Sequence, residues 1–208
     1  MSAQPLAATT LKRVSLADHA GLAIAERPLH HGEGFSPLVW LVGAHGGAGV
    51  TSLAHAIAPF GDAGRQWPAH DEHPWTIIVA RTTRDGIEVA HDAALQAQAG
   101  NCGDCRVLGV VLVADAPGKT PKAVEQRITV LERVVPTIWR VDYQPAWRTR
   151  LIKDLPQWSP LDDEPEPVAS KWWQKKKRTE DEPDTFPDTI RSVAEDIIDR
   201  ARQAHKHL

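Results

Sequence analysis

Cysteine is nearly absent. The chain has two in 208 residues, Cys102 and Cys105, which excludes a disulfide-stapled scaffold. Neither sign of charge dominates: Lys and Arg number 24 against 27 Asp and Glu, for a net charge of −3. That balance gives no push toward bulk nucleic-acid binding. No run of about 18 or more consecutive apolar residues occurs, so no transmembrane helix is expected. The opening MSAQPLAATTLKRV lacks the basic-then-apolar order of a secretory signal. These absences predict a soluble, cytoplasmic protein. The apolar content of 42% suffices for the core of one ordinary domain with extensions. Phe and Tyr are rare, three and one, while Trp is abundant at eight.

Residues 1–35 have weak periodicity and read as a poorly ordered or loosely docked extension. Within it, Ser15–Ala25 is expected to form a short helix. From Pro37 the pattern changes to strands alternating with helices. Expected strands are Leu38–Val42, Trp75–Ala80, Val107–Ala114 and Thr137–Val141. A short helix is expected over Val50–Ala58. A second starts at a cap on Thr83 or Asp85 and is ended by Gly100, and a third runs from Pro121 to Val134. Pro59 to Pro74 reads as a loop. Near-continuous apolar strands between helices indicate a parallel sheet covered on both faces, within residues 36–150. Order is expected to fade after Trp147, and residues 151–186, rich in proline and charge, read as a disordered or loose linker. Ile190, Val193, Ala194, Ile197, Ile198 and Ala201 then repeat at helical spacing. They predict a terminal amphipathic helix in 187–208, N-capped by Asp188 and docked on the sheet as a last domain helix, with anchoring on a partner or a membrane as the alternative.

The chemistry concentrates in one stretch, LVWLVGAHGGAGVTSL. An apolar strand enters seven residues, Gly43 to Gly49, of which four are glycine, and a helix follows. Strand, glycine-rich turn and helix is the layout of a phosphate-cradling loop. Candidate anion-binding positions are Gly43, His45, Gly46, Gly47, Ala48, Gly49 and Val50, with Thr51 or Ser52 to hold Mg²⁺. A P-loop carries its phosphate-binding lysine where this chain has Val50. A lost charge of that kind removes a transition-state stabiliser worth roughly 3 kcal/mol or more. Binding of ATP or ADP is therefore compatible with this loop, while hydrolysis is not expected of it. A glycine-rich turn in a nucleotide-free Rossmann-like domain is the plainer alternative.

His45-Gly46-Gly47-Ala48-Gly49-Val50-Thr51 resembles the deviant Walker A loop of the ParA/MinD family, K-G-G-x-G-K-[ST], with His45 and Val50 at the two lysine positions. The resemblance extends over Leu38 to Trp147. WTIIVARTTRDGIEVA, VLGVVLVAD and VVPTIWRVDY are similar to later family segments, while the intervening strands, including Walker B, are missing. The likeness implies a shortened P-loop-type α/β fold. It further implies a nucleotide with Mg²⁺, homodimer formation, and a role in positioning, partition or assembly through a protein partner. The GAHGGAG loop and the strand ending in VADAPG also resemble an actinobacterial-type family to which the likeness assigns no activity.

Asp115 closes an apolar strand in the manner of a Walker B acid. With strand 3 beside strand 1, it would lie next to the glycine loop and orient Mg²⁺ or a water. Lys119 in the following loop is a candidate replacement cation. Capping by Asp115 and solvation of Lys119 are the alternatives. His70 and His73 precede strand 2, and Cys102 and Cys105 precede strand 3. On neighbouring parallel strands the two pairs share the amino-terminal edge, where they would suit a structural Zn²⁺; a polar loop with free thiols is the alternative. Lys171–Arg178, KWWQKKKR, joins five basic residues to two Trp. That suits nucleic acid or an anionic membrane, or self-pairing with the acidic flanks. Trp139 and Trp147 are either core anchors or aromatics near the loop. Three functions are compatible: a degenerate nucleotide-binding adaptor of low or no turnover, a non-enzymatic protein or DNA interaction module using the fold as scaffold, and an active ATPase with Asp115 and Lys119 as its catalytic residues.

Overall fold

The computed structural model describes residues 21–29, 36–161 and 186–206. Its centre is a five-stranded, all-parallel sheet. The strands are β2 (Val39–Gly43), β3 (Phe60–Asp62), β5 (Trp75–Arg81), β6 (Arg106–Val113) and β7 (Ile138–Val141), in the order β3-β2-β5-β6-β7. Two further strands, β1 (Ala23–Ile24) and β4 (Gln66–Trp67), pair in parallel outside it. The helices are α1 (Val50–Ala56), α2 (Arg84–Gln98), α3 (Lys122–Leu131), α4 (Pro145–Thr149) and α5 (Asp188–His205). A 3-10 turn spans Ile152–Asp154. The fold is a three-layer, Rossmann-like α/β arrangement.

Alternation along each strand builds two cores. Val39, Leu41, Ile77, Val79 and Val111 face α1 and α5. Trp40, Val42, Ile78, Ala80, Val110 and Leu112 face α2 and α3. Both faces are covered, so the strands carry almost no polar residue: of the seven in β5, only Thr76 and Arg81 are polar.

The terminal helix docks as expected. Ile190, Ala194, Ile197, Ile198 and Ala201 are buried on the α1 side of the sheet. Asp196 accepts from the Trp139 indole and Arg200 donates to Thr137. The cap differs: Pro187 holds the N-cap position and Asp188 is the first helical residue. Trp139 is thus a core anchor rather than an exposed stacking platform.

Three segments depart from the sequence expectation. Residues 21–25 are extended, not helical. The Gln96 side chain accepts from Leu22 N–H and donates to Leu22 C=O, supplying the pairing of an absent strand; the rest of Ser15–Ala25 lies outside the described residues. The interval Pro59 to Pro74 holds β3 and β4. Ala63 N–H donates to Leu41 C=O and Gly43 N–H to Gly64 C=O, which binds this excursion to β2. Order also continues past Trp147. Trp158 bridges Ile57 and stacks on Phe186 with centroids 5.9 Å apart, so its indole closes the open end of the α1 core. Lys171–Arg178 lies outside the described residues.

At the amino edge, His73 and His205 stack with centroids 6.2 Å apart. Burial first, and then the His205 ring, hold the His73 imidazole below its ordinary range. The folded chain therefore disfavours the charged ring. This contribution is complete above the ordinary His value of about 6.5 and is lost as pH falls from there through the lowered value of the folded ring, because the unfolded chain takes up the proton first. The thermal midpoint should fall between pH of about 7.5 and 5.5, and His73→Phe should flatten that fall. An equal fall in the variant would contradict the assignment.

Candidate functional site

The chain leaves β2 for α1 and β3 on one side, and β5 lies on the other. The carboxyl ends of β2 and β5 therefore flank a topological switch point, the usual position of ligands in open parallel sheets. The glycine loop stands there. Gly47 and Gly49 adopt φ of 76° and 106°, a left-handed backbone that a side chain strains. Gly49 is the N-cap of α1 and places Val50 inward. Val50 is 6% exposed and packs in the core against Gly43. The residue at the second lysine position is therefore a core residue, although its backbone lines the loop.

His45 is a tether. Its Nε2 accepts the Arg81 backbone N–H at 3.0 Å, and its Nδ1 contacts Gly46 C=O at 2.9 Å. An accepting Nε2 places the proton on Nδ1, which donates to the carbonyl. The close approach needs Gly86 at the start of α2, where a Cβ would lie 3.1 Å from His45 Nε2. Thr83 caps this helix, accepting from Gly86 N–H at 3.0 Å.

Arg81 is the residue that sequence reasoning missed. Its side chain turns back across the carboxyl edge. Nε donates to Gly47 C=O and Nη1 to Ala114 C=O, each at 3.1 Å. Three adjoining depressions meet at this side chain. A cleft of about 340 Å³ is bordered by His45, Gly46, Gly47, Asp115 and Arg148. A second, of about 320 Å³, runs along Gly43–Ser52 and adds Arg65 and Ile152. The third is a small slot between Val113, Val141, Tyr143 and Trp147. Two donors of Arg81 are engaged by carbonyls, which leaves part of its five-donor fork for an anion. Arg65 and Arg148 add charge on either side. Because α1 has only seven residues, these side chains, more than a helix end, supply the positive field.

The other candidates divide. Asp115 borders the first cleft, but not by strand adjacency: β5 lies between β2 and β6. It arrives through the loop after β6, where its N–H donates to Thr82 Oγ1 at 3.2 Å. Lys119 is exposed and borders none of the three depressions. Thr51 is exposed and Ser52 half-buried, both along the second cleft.

At the amino edge, β5 and β6 are parallel neighbours as the Cys/His reading required. His70 reaches that corner, with Nδ1 3.1 Å from Asp104 and its ring against Gly103. His73 instead faces His205. Cys102 S–H donates to Cys105 C=O at 3.3 Å. Burial raises both thiols, and the Cys105 thiol is pushed up to about 12. Among the described residues no three His, Cys, Asp or Glu stand together as metal ligands.

Fold and cleft together define a Rossmann-like α/β protein with an arginine-lined glycine loop at the switch point of its sheet. The family model described as "Family of unknown function (DUF6668)" matches residues 37–157, and the chain belongs to that family. No curated protein and no solved structure matches the chain.

The His45 tether makes a prediction that separates it from a lysine. An ammonium only donates, so His45→Lys leaves the Arg81 N–H without an acceptor, as His45→Ala does. Both should lower stability to urea by about 1–3 kcal/mol. A His45→Lys variant as stable as the parent would contradict the tether.

Proposed function

We propose that the carboxyl-edge cleft binds a phosphate-bearing ligand, ATP or ADP with Mg²⁺, and turns it over little or not at all. The protein would then act as a nucleotide-responsive adaptor in positioning or assembly. The observation that carries this reading is the Arg81 guanidinium, held beside Gly47 where three depressions meet. Arginine matches phosphate in charge and in planar geometry. The likeness of His45–Thr51 to the deviant Walker A loop supports the same ligand class. Low turnover follows from the side chains present. Val50 belongs to the core and His45 is committed to the Arg81 N–H, so neither lysine position supplies a charge at the phosphates, and Arg81, with two donors on Gly47 and Ala114, offers the ligand only its remaining ones. Asp115 borders the first cleft and would orient Mg²⁺ or a water, but without a lysine at the phosphates.

Calorimetric titration with ATP, ADP, AMP and inorganic phosphate, each with Mg²⁺, tests the reading. Nucleotide should bind saturably. Arg148→Ala should weaken it about tenfold, the value of one charge-assisted hydrogen bond. Gly47→Val, at a left-handed position, should abolish it. No heat and no thermal stabilisation with any of the four ligands would leave the scaffold function, a protein or DNA interaction module, in its place.

A further inference from the structure

Large apolar side chains that remain bare are few among the described residues, and two are adjacent. Leu151 is 63% exposed and Ile152 42% exposed. They occupy the turn after α4, in the run Arg148-Thr149-Arg150-Leu151-Ile152-Lys153. Arg148, Arg150 and Lys153 are exposed as well, and no carboxylate enters the run before Asp154. In a chain of net charge −3, this run thus carries three cations beside two aliphatic side chains that are exposed at 63% and 42%.

We propose that Arg148–Lys153 is a docking surface for an anionic lipid bilayer. Cations flanking exposed aliphatic residues suit the boundary between headgroups and acyl chains: the aliphatic side chains enter, and the cations stay with the phosphates. A nucleic acid would use the cations but gain nothing from Leu151 and Ile152: the segment holds no aromatic residue for base stacking, and Trp147, just before it, is half-buried in the slot beside the glycine loop. A specific protein interface takes roughly 20–30 residues a side. This patch is six residues long, and the ligand cleft adjoins it through Arg148 and Ile152. A bilayer needs no complementary shape and accepts so small a patch. The attachment is peripheral, because no described helix is long and apolar enough to cross a membrane. It does not rest on nucleotide binding, and Arg150, Leu151 and Lys153 border none of the three depressions.

Co-sedimentation of the full chain with vesicles tests the proposal. Vesicles of phosphatidylglycerol mixed with phosphatidylcholine should retain the protein in a salt-sensitive manner, and phosphatidylcholine alone should not. Leu151→Ser with Ile152→Ser, and separately Arg150→Glu with Lys153→Glu, should each lower the bound-to-free ratio about tenfold, from the loss of two interfacial contacts. Thermal midpoints identify a variant that fails to fold, and the charge pair, on exposed side chains, keeps the test open if the apolar pair does. Replacing Lys175, Lys176 and Lys177 by Gln should leave most of the binding. Three outcomes would overturn the proposal: no retention by anionic vesicles, equal retention by neutral ones, or retention lost with the lysine tract and unaffected by the folded patch variants.

Discussion

Arg81 holds the carboxyl edge together. Its backbone N–H is received by His45, its Nε by Gly47 C=O and its Nη1 by Ala114 C=O. One residue therefore joins the loop after β2, the end of β5 and the loop after β6. Backbone pairing ends within a residue or two of this point, with Ala44 N–H on Val79 C=O, Thr82 N–H on Val113 C=O and Ala114 N–H on Val141 C=O, and the Arg81 contacts continue the connection beyond it. Without the bridge, the glycine loop would have backbone freedom at two left-handed positions and little to limit it. With it, the loop has a fixed neighbour carrying a positive charge. The clefts exist because that guanidinium spans the gap instead of filling it.

The parallel register explains why Arg81 can do this. Gly43 pairs with Val79, so Arg81 lies two residues beyond the last paired position of β2. Four continuous apolar residues before it, Ile77–Ala80, are buried in the sheet, and the next polar side chain emerges at the edge. There a long, rigid fork reaches sideways, where a shorter polar side chain would stop at its own strand.

Much of this fold was legible in the sequence. The four long strands, the helices between them and the docking of the terminal helix follow from runs of Val, Ile and Leu and from 3.6-residue spacing. β3 and β4 were not legible. They have three and two residues, Gly61 and Asp62 are poor strand formers, and their pairing with β2 and β1 depends on partners distant in the chain. The site divides in the same way. The glycine loop and Asp115 are readable as motifs, since local backbone need selects glycine and a strand end selects an acid. For the source of positive charge the sequence points to Lys119, in the loop after β6. The charge lies in Arg81, which in sequence is only a polar residue closing an apolar strand. An arginine closing the strand that neighbours the glycine loop is the available signal. Using it requires the strand order, which sequence does not print. His45 similarly reads as a replaced lysine, and only its two ring contacts give it a structural role.

In the proposed function the Arg81 guanidinium is the anion-binding centre of this edge. Its side-chain Nε–H can be followed directly by ¹⁵N NMR during titration with ADP and Mg²⁺. A saturable shift of the Arg81 Nε–H signal is expected, with a smaller shift at Arg148 and the same midpoint as glycine-loop amides. A titration in which the nucleotide binds while the Arg81 signal stays fixed, or in which no signal of the carboxyl edge moves, would contradict it.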